Sequence, residues 1–429
     1  MKTFLPMPSR LFSISLVAFL VSYSSSPTVA ADWPQWRGPQ RNGVSTETGL
    51  LKAWPKEGPS LVWQTRNAGA GYSTPSVAGD RVFLLSNEGL AGESVVALSA
   101  KDGKKLWSAA IGKVGNPEQQ PSFPGARSTP SVDGDAVYAL SSDGDLASLD
   151  INTGRERWRK SFRRDFGGTP GQWAYAESPL IDGDTLICTP GGAGATIVAL
   201  NKKTGELIWK CAVPGQTEAG YASAVVTEIA GVRQYVQFLP KGVVGVEAKS
   251  GKLLWRYERS SKNSPAPIVT PLVDNGYVYT GAYQAGGGLI HLVKKGENFE
   301  AEEVYFSPKM PFGNGSVIKA GDNFFGGIGT ALACLDFKTG EIKWEERAPG
   351  PSAFVLAEGL VYGHCESGEV VMFEPSAEGY REKGRFNPPG LPSRGDGMEK
   401  AWTHPVLANG KLYIRDKESL WCYDVAARR

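Results

Sequence analysis

The side chains best suited to catalysis are few and far apart in this chain. Its three histidines are His291 in "LIHLV", His364 in "YGHCE" and His404 in "WTHP". A metal centre needs several convergent ligands. No H-E-x-x-H, G-x-S-x-G, Walker loop or G-x-G-x-x-G gathers such groups. The Asp-Gly-Asp triplets at Asp133, Asp143 and Asp182 lack the further spaced acids and terminal Glu of a calcium loop, so they read as hairpin turns. Cys188, Cys211, Cys334, Cys365 and Cys422 are scattered, with no C-x-x-C, which implies mostly buried free thiols.

A second set is better placed. Tyr72, Arg127, Tyr221 and Trp402 each stand three residues before the Pro, or its equivalent, of a recurring Ser/Thr-containing triplet. Tyr175 lies one residue further back from its Pro, beside Trp173 and Glu177, and His404 stands in the last such triplet, at the start of the last inner strand. If a repeated fold carries these positions to one face, the aromatic rings, Arg127 and Glu177 could line a funnel for sugar, aromatic or peptide ligands. Alternatively the same side chains plug a central channel and pack one repeat on the next. Long loops on this side, at 113–128, 163–177 and 387–403, exceed what a hairpin needs.

The elements that position these residues are strands. Five stretches repeat one theme: "KDGKKLW" (101–107), "NTGRERW" (152–158), "KTGELIW" (203–209), "KSGKLLW" (249–255) and "KTGEIKW" (338–344). The small residue and Gly make a turn in which positive φ would penalise a Cβ. Around each copy lies a unit such as "STPSVDGDAVYALSSDGDLASLDINTGRERW" (128–158). It parses as four short strands joined by Asp-Gly and Thr-Gly turns. Four antiparallel strands repeated at this period are propeller blades. The recurring Trp, at Trp63, Trp107, Trp158, Trp209, Trp255 and Trp344, is expected to seal the joints between blades, offering a large apolar face and one N–H.

Inner-strand starts predict eight blades, beginning near residues 73, 128, 177, 222, 269, 314, 351 and 403. The fifth unit has "EEVYFS" in place of its Trp strand, the seventh has "YREKGRF", and the eighth stops after three strands. An unmatched strand, "PSLVWQT" (59–65), precedes the first unit and is expected to complete the eighth blade and close the ring. Seven blades is the alternative.

Residues 1–31 read as a signal peptide: Lys2 and Arg10, an apolar run over 11–21, then Val29-Ala30-Ala31. With no cysteine before Cys188 there is no lipobox, so the expected location is periplasmic or extracellular. Removing this segment leaves 44 basic and 44 acidic residues, which argues against a nucleic-acid partner. Residues 32–58 are expected to form an extension packed on the propeller of residues 59–429, with no transmembrane segment in the mature chain and a monomeric state.

The pattern A-x-x-x-x-T-G-x-x-x-W resembles the pyrroloquinoline quinone (PQQ) repeat, over essentially all of residues 59–424. The stretches "DWPQWRGPQRNGVS", "QWAYAESPLIDGDTLICTPGG", "GVRQYVQFLPKGVVGVEAKSGKLLWRY" and "HPVLANGKLYIRD" are similar to those of secreted bacterial PQQ-repeat proteins. That resemblance implies either a quinoprotein dehydrogenase or a non-enzymatic propeller like the assembly factor BamB. The dehydrogenases use a disulfide between neighbouring cysteines, a Trp, and a Ca²⁺ or lanthanide held by Glu, Asn and Asp; this chain has no Cys-Cys pair. The expectation is therefore an all-β, eight-bladed propeller that binds an envelope or secreted protein, a carbohydrate or a small ligand, without cofactor or metal and without catalysis. The alternative is a polysaccharide hydrolase or lyase, or a PQQ- and Ca²⁺-dependent dehydrogenase, with its site in the funnel.

Overall fold

The computed structural model describes residues 1–3, 31–66, 68–118, 125–313, 316–394 and 399–427. Most of the expected signal peptide, most of the sixth inner-strand start and parts of two long loops therefore lie outside the described residues.

The strands assemble into eight antiparallel sheets in chain order, each starting at one of the eight inner-strand positions. Two turn chemistries build the inner hairpins. In blade 5, Asn275 and Gly276 both hold positive φ (48° and 81°), the demand of a type I′ turn. In blade 2, Gly134 alone does (56°), as in a type II′ turn. The ring closes as the unmatched strand implied. Ser60–Thr65 pairs antiparallel with Ser419–Asp424 and becomes the outer strand of blade 8. Blade 7 gains a fifth, parallel strand, Val44–Ser45.

The core lies between blades. Seven clusters of buried apolar residues each draw on adjacent blades, and the largest joins blades 7, 8 and 1 with Trp33, Leu50 and Trp54. The repeat motif builds these joints in a specific way. Trp107 donates its Nε1–H to the Ile151 carbonyl of the next blade at 3.0 Å. Its ring covers Gly154, the turn glycine of that next blade, so closely that a Cβ there would sit 2.6 Å from Trp107 Cε3. Trp63 on Gly103, Trp158 on Gly205 and Trp209 on Gly251 repeat the arrangement, with N–H bonds to Ala100, Lys202 and Ala248. Each motif glycine thus serves two ends: its φ, 70° at Gly154, and a bare face for the Trp of the preceding blade.

The exceptions have visible substitutes. Trp255 lies opposite Gly245 on its own sheet and donates to Gln234 Oε1 at 2.6 Å, so its hydrogen bond stays within blade 4 while its ring joins the core shared with blade 5. In blade 5, Tyr305 takes the Trp position; its hydroxyl donates to the Phe337 carbonyl and its ring covers Gly340. Trp344 of blade 6 donates to Ser376 of blade 7 at 2.8 Å. In blade 7 the position belongs to Gly384, and Trp54 from the N-terminal segment packs directly on it, against Phe386 and Tyr362.

Residues 33–45 run beneath the inner strands and touch all eight blades. Trp33 exchanges backbone hydrogen bonds with Val77 of blade 1, and Pro34 accepts from Val132 of blade 2. Arg41 donates to the Ser178, Pro179 and Ala224 carbonyls of blades 3 and 4 at 2.7–2.8 Å. Trp36 donates to Thr270 of blade 5, and Arg37 to Val317 of blade 6. Gly43 accepts from Leu356 of blade 7, and the Trp36 ring meets His404 of blade 8 edge-on at 4.5 Å. Pro34 is held by blade 2 while Trp36, two residues on, meets blades 5 and 8, so the segment crosses the axis of the ring and closes one end of the channel. Among the described residues no helix is long and apolar enough to cross a membrane.

Candidate functional site

With one end of the channel closed, the opposite end forms a cup. Its cavity, of about 260 Å³, has Trp36 at its base beside Thr74, Ser178, Ser223 and Thr270, each just ahead of an inner strand. Tyr72, Arg127, Trp173, Tyr221 and Trp402 line it with Ala176, Ala266 and Ile268.

The walls are held by neighbouring chain. Tyr72 and Trp402, from blades 1 and 8, pack with ring centroids 5.3 Å apart. Trp173 sits on the long loop of blade 3, where Asn116 donates to the Gly171 and Gln172 carbonyls. Its own N–H bonds the Tyr221 hydroxyl of blade 4 at 3.2 Å, and the two rings lie 5.9 Å apart. All five side chains are half-buried, as is Trp36.

The base is a ring of hydroxyls that also ties blades together. Thr74 Oγ1 accepts the His404 N–H at 3.0 Å, Ser178 Oγ accepts that of Thr129 at 2.9 Å, and Ser223 Oγ accepts that of Ser178 at 2.9 Å. Thr270 Oγ1 accepts the Trp36 indole N–H at 2.9 Å. Each oxygen has one lone pair engaged and keeps its O–H as a donor.

The structure brings Tyr72, Arg127, Trp173, Tyr221 and Trp402 to one cavity and keeps three other sequence candidates off its walls. Tyr175 is 1% exposed, packs edge-on to Phe162 and donates to the Pro190 carbonyl at 2.9 Å. Glu177 is 2% exposed and accepts from Thr189 N and Gln237 Nε2. Burial pushes its carboxyl up to about 7 despite Thr189 and the positive Arg41. His404, buried, packs beneath the cup against Trp36. Ala174, at φ 68°, breaks the extended course of the chain between Trp173 on the wall and the buried Tyr175. The remaining histidines lie elsewhere: His291 stacks on Tyr277, and the fully buried His364 places Nδ1 2.9 Å from the Thr403 carbonyl.

Sequence reasoning missed Trp36, because residues 33–45 lie outside the repeats and no periodicity places them. The floor hydroxyls carried a signal, since Thr74, Ser178 and Ser223 belong to the triplets that marked the inner strands. Ala266 and Ile268 carried none.

Arg127 fixes the sign of the site. Burial lowers its pKa, while the nearby Tyr72 and Glu93 act to raise it. Glu93 stands behind the wall, accepting from Ser142, and burial moves its carboxyl up to about 7. A ligand cation about 5 Å from a guanidinium, at an effective dielectric of about 20, meets roughly 3 kcal/mol of repulsion. An aromatic cage returns about 2 kcal/mol. The site therefore favours neutral or anionic groups.

These residues do not fit PQQ with a divalent metal. PQQ carries three carboxylates, and the lining offers one guanidinium. Among the described residues no three His, Cys, Asp or Glu side chains converge to hold a metal ion. The five cysteines are free and buried, and burial raises their thiols, those of Cys211 and Cys365 to about 11.

A PQQ-repeat family model, described as outer membrane protein assembly factor BamB, matches residues 40–172 and 126–322, more than half of the chain. The chain belongs to that family. It is 24% identical over 256 residues to BamB of Shewanella oneidensis, covering 59% of this chain but only 58% of that protein. To BamB of Yersinia pestis it is 23% identical over 389 residues, 87% of this chain and 80% of that one. Among solved structures, a europium-containing methanol dehydrogenase is similar with a TM-score of 0.65 at 12% identity, covering 89% of each chain. At that identity the likeness is one of fold.

Proposed function

We propose that this chain is a non-catalytic binding scaffold of the cell envelope, and that it engages its partner molecule at the cup. The observation that carries this is the lining of the cavity. It combines three indoles, two phenols, a guanidinium and a floor of hydroxyls and contains no carboxylate. Glu93 and Glu177 are occupied inside the walls with hydrogen bonds to Ser142 and Thr189, and Glu399, Asp416 and Glu218, which act on the Tyr72 and Tyr221 hydroxyls, lie outside the lining. General acid–base catalysis needs a titrating group within reach of the substrate, and this arrangement supplies recognition instead. The family match supports the envelope setting, and an exported ring with rigid blades and long loops on the cup face suits a scaffold. The described residues 113–118, 125–128, 387–394 and 399–403 lead to Arg127 and Trp402 and would frame a larger partner.

The reading is tested with N-phenyl-1-naphthylamine, a neutral apolar fluorophore. Wild-type protein is expected to bind it saturably with a one-to-one stoichiometry and with quenching of indole emission. Trp173→Ala and Trp402→Ala should weaken binding at least about 10-fold, since an aromatic contact is worth roughly 1–3 kcal/mol on a well-packed site. Equal binding by wild type and both variants would contradict the proposal.

A further inference from the structure

The same cup, taken as a binding site, specifies more than an apolar guest. Four floor oxygens, those of Thr74, Ser178, Ser223 and Thr270, already accept N–H bonds at 2.9–3.0 Å. Accepting a hydrogen bond makes a hydroxyl a stronger donor through mutual polarisation. The floor is therefore biased to donate. Arg127 adds a further set of donors and the one formal charge among the lining side chains. The walls present flat faces from two pairs, Tyr72 with Trp402 on blades 1 and 8 and Trp173 with Tyr221 on blades 3 and 4, which face one another obliquely across the cup. Donors and a cation in the base, with ring faces above, match a guest that is flat at one end and anionic at the other. The cavity, at about 260 Å³, falls just under the range of roughly 300–1,000 Å³ for drug-sized ligands, which restricts the guest to a small ring compound.

We infer that the cup takes a small ring compound bearing one carboxylate, its ring between the aromatic walls and its carboxylate on Arg127 and the floor hydroxyls. This rests on the binding-scaffold reading above. A carboxylate forms a two-point pair with a guanidinium, which fixes orientation as well as charge. Two sources share the chemistry. An acidic sugar would lay its C–H face on the indoles, and an aromatic acid would stack its ring there.

Displacement of bound N-phenyl-1-naphthylamine separates the possibilities. The probes are galacturonate against galactose, and phenylacetate against 2-phenylethanol. At least one carboxylate is expected to displace the fluorophore at a concentration at least about 10-fold below its neutral counterpart, the factor a charge-assisted bond commonly gives. Arg127→Gln, in a preparation that still binds the fluorophore, should bring that ratio close to one. On wild type, raising NaCl from 20 to 500 mM should weaken the carboxylate and leave the neutral probe unchanged, an independent reading of the charge that requires no variant. Success with galacturonate alone identifies the acidic-sugar source, and success with phenylacetate alone the aromatic one. If the fluorophore binds but both neutral probes compete as well as the acids, or no probe competes, the carboxylate inference is overturned while the binding reading stands. If wild type fails to bind the fluorophore, both fall.

Discussion

Replacing Gly154 by Ala tests how the repeat motif builds the ring. Gly154 holds φ at 70°, so any side chain pays the left-handed penalty of roughly 1–2 kcal/mol. A Cβ would also stand 2.6 Å from Trp107 Cε3 and 3.0 Å from Cδ2, atoms of the preceding blade. The ring must shift by several tenths of an ångström, an overpacking cost of about 1–3 kcal/mol. It also strains the Trp107 bond to the Ile151 carbonyl, worth about 1 kcal/mol. Gly183 provides the control, because its φ is 58° and nothing lies within 4 Å of an added Cβ. Gly183→Ala therefore carries only the backbone term. Urea denaturation followed by indole fluorescence should place Gly154→Ala about 2–4 kcal/mol below Gly183→Ala, with m-values checked for equality. Equal destabilisation by the two variants would refute the double role assigned to the motif glycine and leave the turn as its sole reason.

Further expectations follow from the same contacts. Trp54→Ala uncovers Gly384 and should cost about 3–5 kcal/mol in urea denaturation; Gly384→Trp in that background should recover part of the loss if Trp54 fills the missing repeat position. Arg41→Met leaves the Ser178, Pro179 and Ala224 carbonyls without their donor, and the resulting loss should exceed about 3 kcal/mol, with residues 32–45 becoming protease-sensitive. Glu93, pushed from 4.5 up to about 7 by burial, binds a proton more tightly folded than unfolded. Its favourable contribution is complete below pH 4.5 and is lost as the pH rises through 7, a span of at most about 3 kcal/mol. Glu93→Gln should flatten the fall in stability measured between pH 5 and 8.

Much of this architecture was legible in the sequence because a propeller repeats its local rules. Asp-Gly, Asn-Gly and Thr-Gly turns spaced by short apolar strands named the blades, and "PSLVWQT" could only be a strand without a sheet of its own. What repetition encodes, the sequence shows. The cup walls were legible for the same reason, since Tyr72, Arg127, Tyr221 and Trp402 occupy one repeated offset. What breaks the repetition was hidden. Trp36, Arg37 and Arg41 act at the axis through contacts to carbonyls and rings hundreds of residues away, and no local pattern announces them. Trp54 stands in for a blade-joint Trp from outside the repeats, and only the glycine at position 384 hints at the vacancy. Tyr175, Glu177 and His404 sit close in sequence to wall positions and share their residue types, so nothing local separates them; the left-handed turn at Ala174 (φ 68°) and the packing partners Phe162, Thr189 and Trp36 do.

The most direct test of a non-catalytic binding cup is a dye-linked dehydrogenase assay on protein already shown to bind N-phenyl-1-naphthylamine. Each sample is supplied with PQQ and Ca²⁺, alone and together, and offered primary alcohols and sugars, with calorimetry of PQQ binding alongside. We expect no dye reduction above the protein-free rate and no dependence of any PQQ heat on Ca²⁺. Saturable PQQ binding that requires Ca²⁺ and drives dye reduction would contradict the account and make the cup the active site of a quinoprotein.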